Sequence, residues 1–145
     1  MILTGDEAAA GVLASARVVA VLGAQRDQHL PAHYVPDYLH RHGYRILPVN
    51  PFHLGHTLWG EPFRAHLTDL TEAVDLVDVF RRPDALDGHL PDFLAMRPPP
   101  RTVWFQLGVR NDRVAAALAA AGIDVVQDRC TKADHSRFRQ SGLIP

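Results

Sequence analysis

Residues 18–31 read VVAVLGAQRDQHLP. Val18 to Leu22 is an unbroken apolar run rich in β-branched side chains, and Gly23 ends it. A run without polar alternation suits a strand buried on both faces. A polar loop follows, and Pro31 favours the first turn of a helix. Strand, glycine, polar loop and helix in that order form the opening unit of a doubly wound α/β sheet, where ligands gather at the carboxyl ends of strands. The free N–H groups and partial positive charge of a helix start suit an anion there. Gly23 lets a ligand come close to the backbone, and Arg26 offers phosphate a charge-assisted contact. The less specific reading of Gly23 is a plain tight turn.

The rest of the chain repeats the alternation. Upstream, Thr4 to Ala16 predicts a helix, because Thr4 and Glu7 have capping-box spacing and an Ala-rich run follows. Downstream, a helix is expected from about Ala32 to Arg41, with Gly43 in its C-terminal cap. Ile46 to Val49 is a second apolar run, and Pro48 predicts that it ends or turns outward there. Residues 52–70 read as irregular, with Gly55, Gly60 and Pro62 as breakers. Val74 to Phe80 is a third strand. A helix from Asp84 or a neighbour runs to about Met96, and Pro98, Pro99 and Pro100 stop it. Thr102 to Gly108 is a fourth strand. Asn111 or Asp112 caps a helix over Arg113 to Ala121, and Gly122 closes it. Ile123 to Asp128 is a fifth strand, and the tail from Arg129 to Pro145 is polar, with room for a short helix. The expected fold is α/β and Rossmann-like: a doubly wound, mostly parallel five-stranded sheet with helices on both faces, with residues 1–145 as one domain.

Composition narrows the function classes. The chain has 145 residues, 47% apolar and 21% charged, with a formal net charge of -1. No global field draws it to nucleic acid or an anionic membrane, so neither is an expected partner. Cys130 is the only cysteine, which forbids an internal disulfide and fits a reducing, cytoplasmic setting. The N-terminus has no basic start, and Asp6 and Glu7 stand where a signal peptide would be apolar. No stretch approaches the 18 or so uncharged apolar residues of a membrane span.

The first loop lacks the dinucleotide fingerprint, since Gln25 and Gln28 stand where the second and third glycines of G-x-G-x-x-G belong. The second strand ends in PVNP, with Asn50 where an acidic residue would bind the ribose hydroxyls of NAD. Arg41 and Arg45 are the nearby charges. This suits a ribose that carries a phosphate, as in coenzyme A or NADP, and spacing does not choose between them. The nine histidines form no complete set of metal ligands. His33 stands out, because it lies just after the phosphate loop. No Ser-His-Asp arrangement or G-x-S-x-G is present. Phe80 and Phe105 end strands at the ligand edge, as core residues or against a ligand.

Five blocks, VAVLGAQRD, YLHRHGYRILPVNP, VDLVDVFRRPD, VWFQLGVRND and AGIDVVQDRCTKADHSRF, lie in order between about Arg17 and Phe138. Together they resemble the small stand-alone CoA-binding proteins of bacteria, which are similar to the CoA-binding domain of the succinyl-CoA synthetase α-subunit. The resemblance implies CoA at the carboxyl edge of the sheet. It implies that Gly23, Ala24, Gln25 and Arg26 form the pyrophosphate loop, with Gln25 where serine is more usual. It places Val49, Asn50 and Pro51 near the adenosine end and Phe80 and Arg81 against the ligand. Phe105, Gln106, Leu107 and Gly108 follow in the loop after the fourth strand, and Asp128, Arg129 and Cys130 at the end of the fifth. Ligase activity is not implied, because the domain carrying the phosphorylated histidine and the partner subunit have no counterpart here. The expected role is a CoA or acyl-CoA binding module without catalysis of its own. The alternatives are an NADP-binding oxidoreductase or redox sensor, and an interaction scaffold with an empty site. Neither sequence nor resemblance names a protein partner. Arg129 and Lys132 beside Cys130 would favour a thiolate able to exchange with the CoA thiol, whereas the plainer reading of Cys130 is a small packed residue.

Overall fold

The computed structural model describes all residues, Met1–Pro145. Its central sheet has five parallel strands: β1 (Val18–Leu22), β2 (Arg45–Val49), β5 (Leu76–Val79), β6 (Thr102–Phe105) and β7 (Asp124–Val126), in the order β2-β1-β5-β6-β7. A two-stranded hairpin, β3 (Thr57–Leu58) and β4 (Glu61–Pro62), stands apart. Five helices complete the fold: α1 (Asp6–Ser15), α2 (Pro31–Arg41), α3 (Leu86–Ala95), α4 (Asp112–Ala120) and α5 (Thr131–Ser141). This is the expected Rossmann-like architecture.

Side chains alternate between two cores. In β1, Ala20 and Leu22 pack toward α3 and α4, while Val19 and Val21 pack toward α1, α2 and α5. Both cores are apolar, which is why the strands read as continuous hydrophobic runs. The chain leaves β1 for β2 on one side and later crosses to β5 on the other. The order therefore reverses between β1 and β5, and the carboxyl ends of those two strands form the crevice where such sheets take ligands.

Three local expectations are corrected. The Thr4–Glu7 capping box does not form. Instead Met1–Leu3 pairs with Val125 along the edge of β7, and Gly5, at φ 88°, turns the chain into α1 without a side-chain cap. Pro48 does not end β2. The strand lies at the sheet edge, and the Pro48 carbonyl points outward to accept from the Arg64 amide, so the missing N–H faces away from β1. Residues 57–62 are not irregular: Trp59 (φ 55°) and Gly60 (φ 78°) make the two-residue turn of the β3–β4 hairpin. The polar tail forms the helix for which the sequence left room; it has 11 residues, and its Phe138 is fully buried between α1 and α2.

Candidate ligand site at the carboxyl edge

Every strand of the sheet delivers its following loop to the same edge. Gly23 ends β1 at φ 89°, and a Cβ built there would lie 2.5 Å from the Phe80 carbonyl oxygen. The residue is therefore glycine because β1 and β5 converge, in addition to any ligand's approach. The Gln25 amide donates to Ala32, while the amides of Ala24 and Arg26 donate to no group in the protein. Ala24 is fully buried, so of the two only the exposed Arg26 N–H, ahead of an 11-residue helix, is open to an anion.

The loop is braced from three sides. Asn50, buried at the end of β2, donates through Nδ2 to the Ala24 carbonyl at 2.9 Å and accepts from the Phe52 amide at 3.0 Å. His33 Nδ1 lies 2.8 Å from the Gln25 carbonyl, and His53 Nε2 lies 3.1 Å from Gln25 Oε1. Burial, with Arg26 and His56 nearby, holds the His53 imidazole below its ordinary range. His53 is then neutral near pH 7, with its Nε2–H donating to Gln25. Arg26 is exposed on the lip, with Nη1 3.3 Å from His56 Nε2.

A cavity of about 1000 Å³ opens beside Gly23 and runs between α2 and α5. That volume stands at the upper end of the range of about 300–1000 Å³ seen for small-molecule sites. Its charged lining is Arg81, Arg82, Lys132 and Arg137; no aspartate, glutamate or histidine lines it. A smaller cavity of about 170 Å³ lies on the other side of Gly23, toward the end of β2.

Residues 17–136 match the family described as "CoA binding domain". This chain belongs to that family. Among its relatives, YneT of Bacillus subtilis strain 168 is 30% identical over 125 residues, covering 86% of this chain and 90% of its own. The solved structure of cell-free ID.343 from Thermus thermophilus is 50% identical with a TM-score of 0.87, over 92% of this chain and 98% of that one. The dinucleotide-forming acetyl-coenzyme A synthetase 1 of Ca. Korarchaeum cryptofilum is 17% identical with a TM-score of 0.61. It shares the fold, over 74% of this chain and 25% of its own.

Within this member of the CoA binding domain family, the sequence-predicted residues divide three ways. Gly23, Gln25, Phe80, Arg81, Gln106, Leu107, Gly108 and Cys130 line the large cavity. Val49, Asn50 and Pro51 line the smaller one, together with Gly23 and Arg81. Ala24, Arg26, His33, Phe105 and Arg129 line neither. Phe105 is wholly buried in the core. His33 braces the loop through its carbonyl contact. Asp128, at φ 57°, accepts from the Gly108 amide at 2.6 Å and closes the loop after β6. Arg129 pairs with Asp134 at 2.5 Å and with Asp6 at 2.6 Å, and Arg137 also binds both carboxylates. Hydrogen bonds from Arg137 and then Arg129 hold the Asp6 carboxyl well below the usual carboxylate range. The Arg129 side chain thus ties α1 to the start of α5.

Two parts of the site escape the sequence reading. One is the pair of helix walls, with Leu30, Tyr34 and Tyr38 on the α2 side and Lys132, Ser136 and Gln140 on the α5 side. Tyr38 is fixed by a 2.9 Å contact between its hydroxyl and His135 Nδ1. The other is Asp78, fully buried within β5 beneath the cavity floor. Its Oδ1 accepts from Gln106 Nε2 at 2.6 Å and its Oδ2 from the Thr131 hydroxyl at 2.9 Å. Gln106 Nε2 also donates to Thr131 Oγ1 at 3.0 Å. Both N–H bonds of the Gln106 amide are used below the floor, so its carbonyl oxygen is the group left for the cavity. Burial pushes the Asp78 carboxyl up to about 7, against the opposing pull of these two donors. A carboxylate inside an apolar strand was the available signal for this residue.

Proposed function

We propose that this protein binds coenzyme A at the carboxyl edge of its sheet and performs no catalysis of its own. In this reading the diphosphate meets the Gly23–Arg26 loop at the Arg26 amide, and the pantetheine arm enters the cavity between α2 and α5. The adenosine end lies toward Asn50 and Pro51. The observation that carries the reading is the lining of the large cavity, which opens at Gly23 and has four cationic side chains and no carboxylate; Arg137 and Arg82 are paired with carboxylates outside the lining, and Arg81 and Lys132 are not. A phosphate-bearing ligand gains from such a wall, and a site built for a cationic or neutral ligand has no use for it. Membership of the CoA binding domain family supports coenzyme A over NADP. The Gln106 carbonyl oxygen supplies an acceptor for an amide N–H of the pantetheine arm. Cys130 is the one thiol in the wall, and no histidine or carboxylate stands in the lining to take its proton. That absence of a base supports binding rather than acyl transfer.

A thermal-shift panel with CoA, NAD, NADP and ATP tests the reading. CoA at a hundred times its Kd adds about 2.7 kcal/mol to the folded state. For a chain of this size that is a rise in Tm on the order of 5–10 °C. An equal shift with NADP, or none with CoA, contradicts the proposal.

Arg26 gives a second, smaller test. It stands exposed on the lip, so Arg26→Ala weakens CoA by about fivefold at low salt, roughly 1 kcal/mol. The effect shrinks toward unity near 0.5 M salt, where the Debye length is only a few ångströms. Titration calorimetry at both salt concentrations reads it. A loss of the same size at high salt would mean that Arg26 acts through structure.

A further inference from the structure

We infer that the large cavity takes an acyl thioester of coenzyme A with a medium-length hydrocarbon chain, in preference to free CoA. This rests on the proposed CoA site and specifies its ligand. The observation behind it is a mismatch between the cavity wall and the free cofactor. Leu107 is 70% exposed, and Leu30 and Tyr34 are each 40% exposed. All three line this one cavity. Large apolar side chains gathered at a rimmed opening mark a binding surface. Free CoA ends in an arm with two amides and a thiol, which the cavity serves with Gln106 and Cys130. The apolar mouth has nothing to cover on that ligand, whereas a hydrocarbon chain on the sulfur would.

Dimensions and charge agree. The α5 wall runs from Cys130 to Gln140, about 15 Å at the helical rise. Leu30, which caps α2, and Tyr34 and Tyr38 within it recur every fourth residue and so follow one face of the helix. The groove between the helices is continuous with the Gly23 loop, which lines the same cavity. The cations of the lining suit the diphosphate, and no carboxylate in the lining repels it. Lys132 Nζ lies 5.2 Å from the Tyr34 ring centroid and 5.9 Å from that of Tyr38. This contact packs Lys132 against both rings within the cavity wall.

Calorimetry with CoA, acetyl-, butyryl-, hexanoyl- and octanoyl-CoA tests the inference. Full burial of a methylene is worth about fourfold in affinity. A groove that half covers the chain gives about twofold per methylene, on the order of 60-fold from acetyl- to octanoyl-CoA. Tyr34→Ser, on the exposed side of α2, reduces that ratio several-fold. A flat or falling series with CoA still bound overturns the acyl inference and leaves the CoA site standing. Absence of binding by every member overturns the CoA site itself. A rising series that Tyr34→Ser leaves unaltered shows detergent-like adsorption outside the groove, and also overturns the inference.

Discussion

Asp78→Asn stabilises the protein at pH 8 by a few kcal/mol and changes its stability little at pH 4. The Asp78 carboxyl rises from an ordinary 3.8 to about 7 on folding because burial disfavours its charged form. Below pH 3.8 the group is protonated in both the folded and unfolded states and exerts no pH dependence. Between pH 3.8 and about 7 the folded state holds a proton that the unfolded state has lost, so stability falls as pH rises. Above pH 7 both states are charged, and the loss, on the order of 4 kcal/mol, is complete. Asparagine does not titrate, so the variant escapes this loss. The substituted amide keeps two of the three hydrogen bonds, because its oxygen still accepts from the Thr131 hydroxyl and its nitrogen donates to a flipped Gln106 amide; the bond from Gln106 to Thr131 is lost, at about 1 kcal/mol. The flip turns the Gln106 N–H group toward the cavity in place of its carbonyl oxygen, so the stabilised variant binds CoA more weakly. Chemical denaturation of both proteins from pH 4 to 8 reads the first effect. Parallel pH profiles would mean that Asp78 titrates as a normal carboxyl, and that the donors from Gln106 and Thr131 outweigh its burial.

Gly23→Ala damages both the fold and the site. The backbone at Gly23 has φ 89°, and the new methyl meets the Phe80 carbonyl oxygen at 2.5 Å. Neither group is the flexible end of a side chain, so the ends of β1 and β5 must separate. The left-handed backbone costs a non-glycine residue about 1–2 kcal/mol, and overpacking adds about 1–3. A loss of about 3 kcal/mol is expected, with CoA affinity reduced at least tenfold because the same residues frame the diphosphate loop. Gly43→Ala separates the two causes. Gly43 has φ 93°, but no atom lies within 4 Å of a Cβ there. That variant loses about 1 kcal/mol of stability from backbone strain alone and keeps wild-type CoA affinity. If both glycine variants lose affinity equally, convergence of β1 and β5 is not what shapes the loop.

The strands were legible because each is buried on both faces and so carries a plain apolar run. Asn111 and Gly122 were legible because caps are local: Asn111 Oδ1 accepts from the Val114 amide, and Gly122 sits at φ 84°. The features that escaped depend on distant residues. Arg129 was read as a ligand-site residue at the end of the fifth strand, yet its partner Asp6 lies 123 positions earlier. Thr4 and Glu7 had the right spacing, but pairing of Met1–Leu3 with Val125 decided where the helix could begin. The cavity wall on α5 was hidden in a polar segment, because it becomes a wall only against α2. Pro48 was read as an end or an outward turn of the strand because nothing in the local sequence says that β2 is the edge strand.

The positions of the diphosphate and the arm join these observations into one account. A crystal structure of the protein with CoA measures them directly. The diphosphate is expected against the Gly23 loop, within hydrogen-bond distance of the Arg26 amide, with the arm passing Gln106 into the groove between α2 and α5. CoA found with its diphosphate away from the Gly23 loop, or no CoA in crystals soaked at saturating concentration, would contradict it.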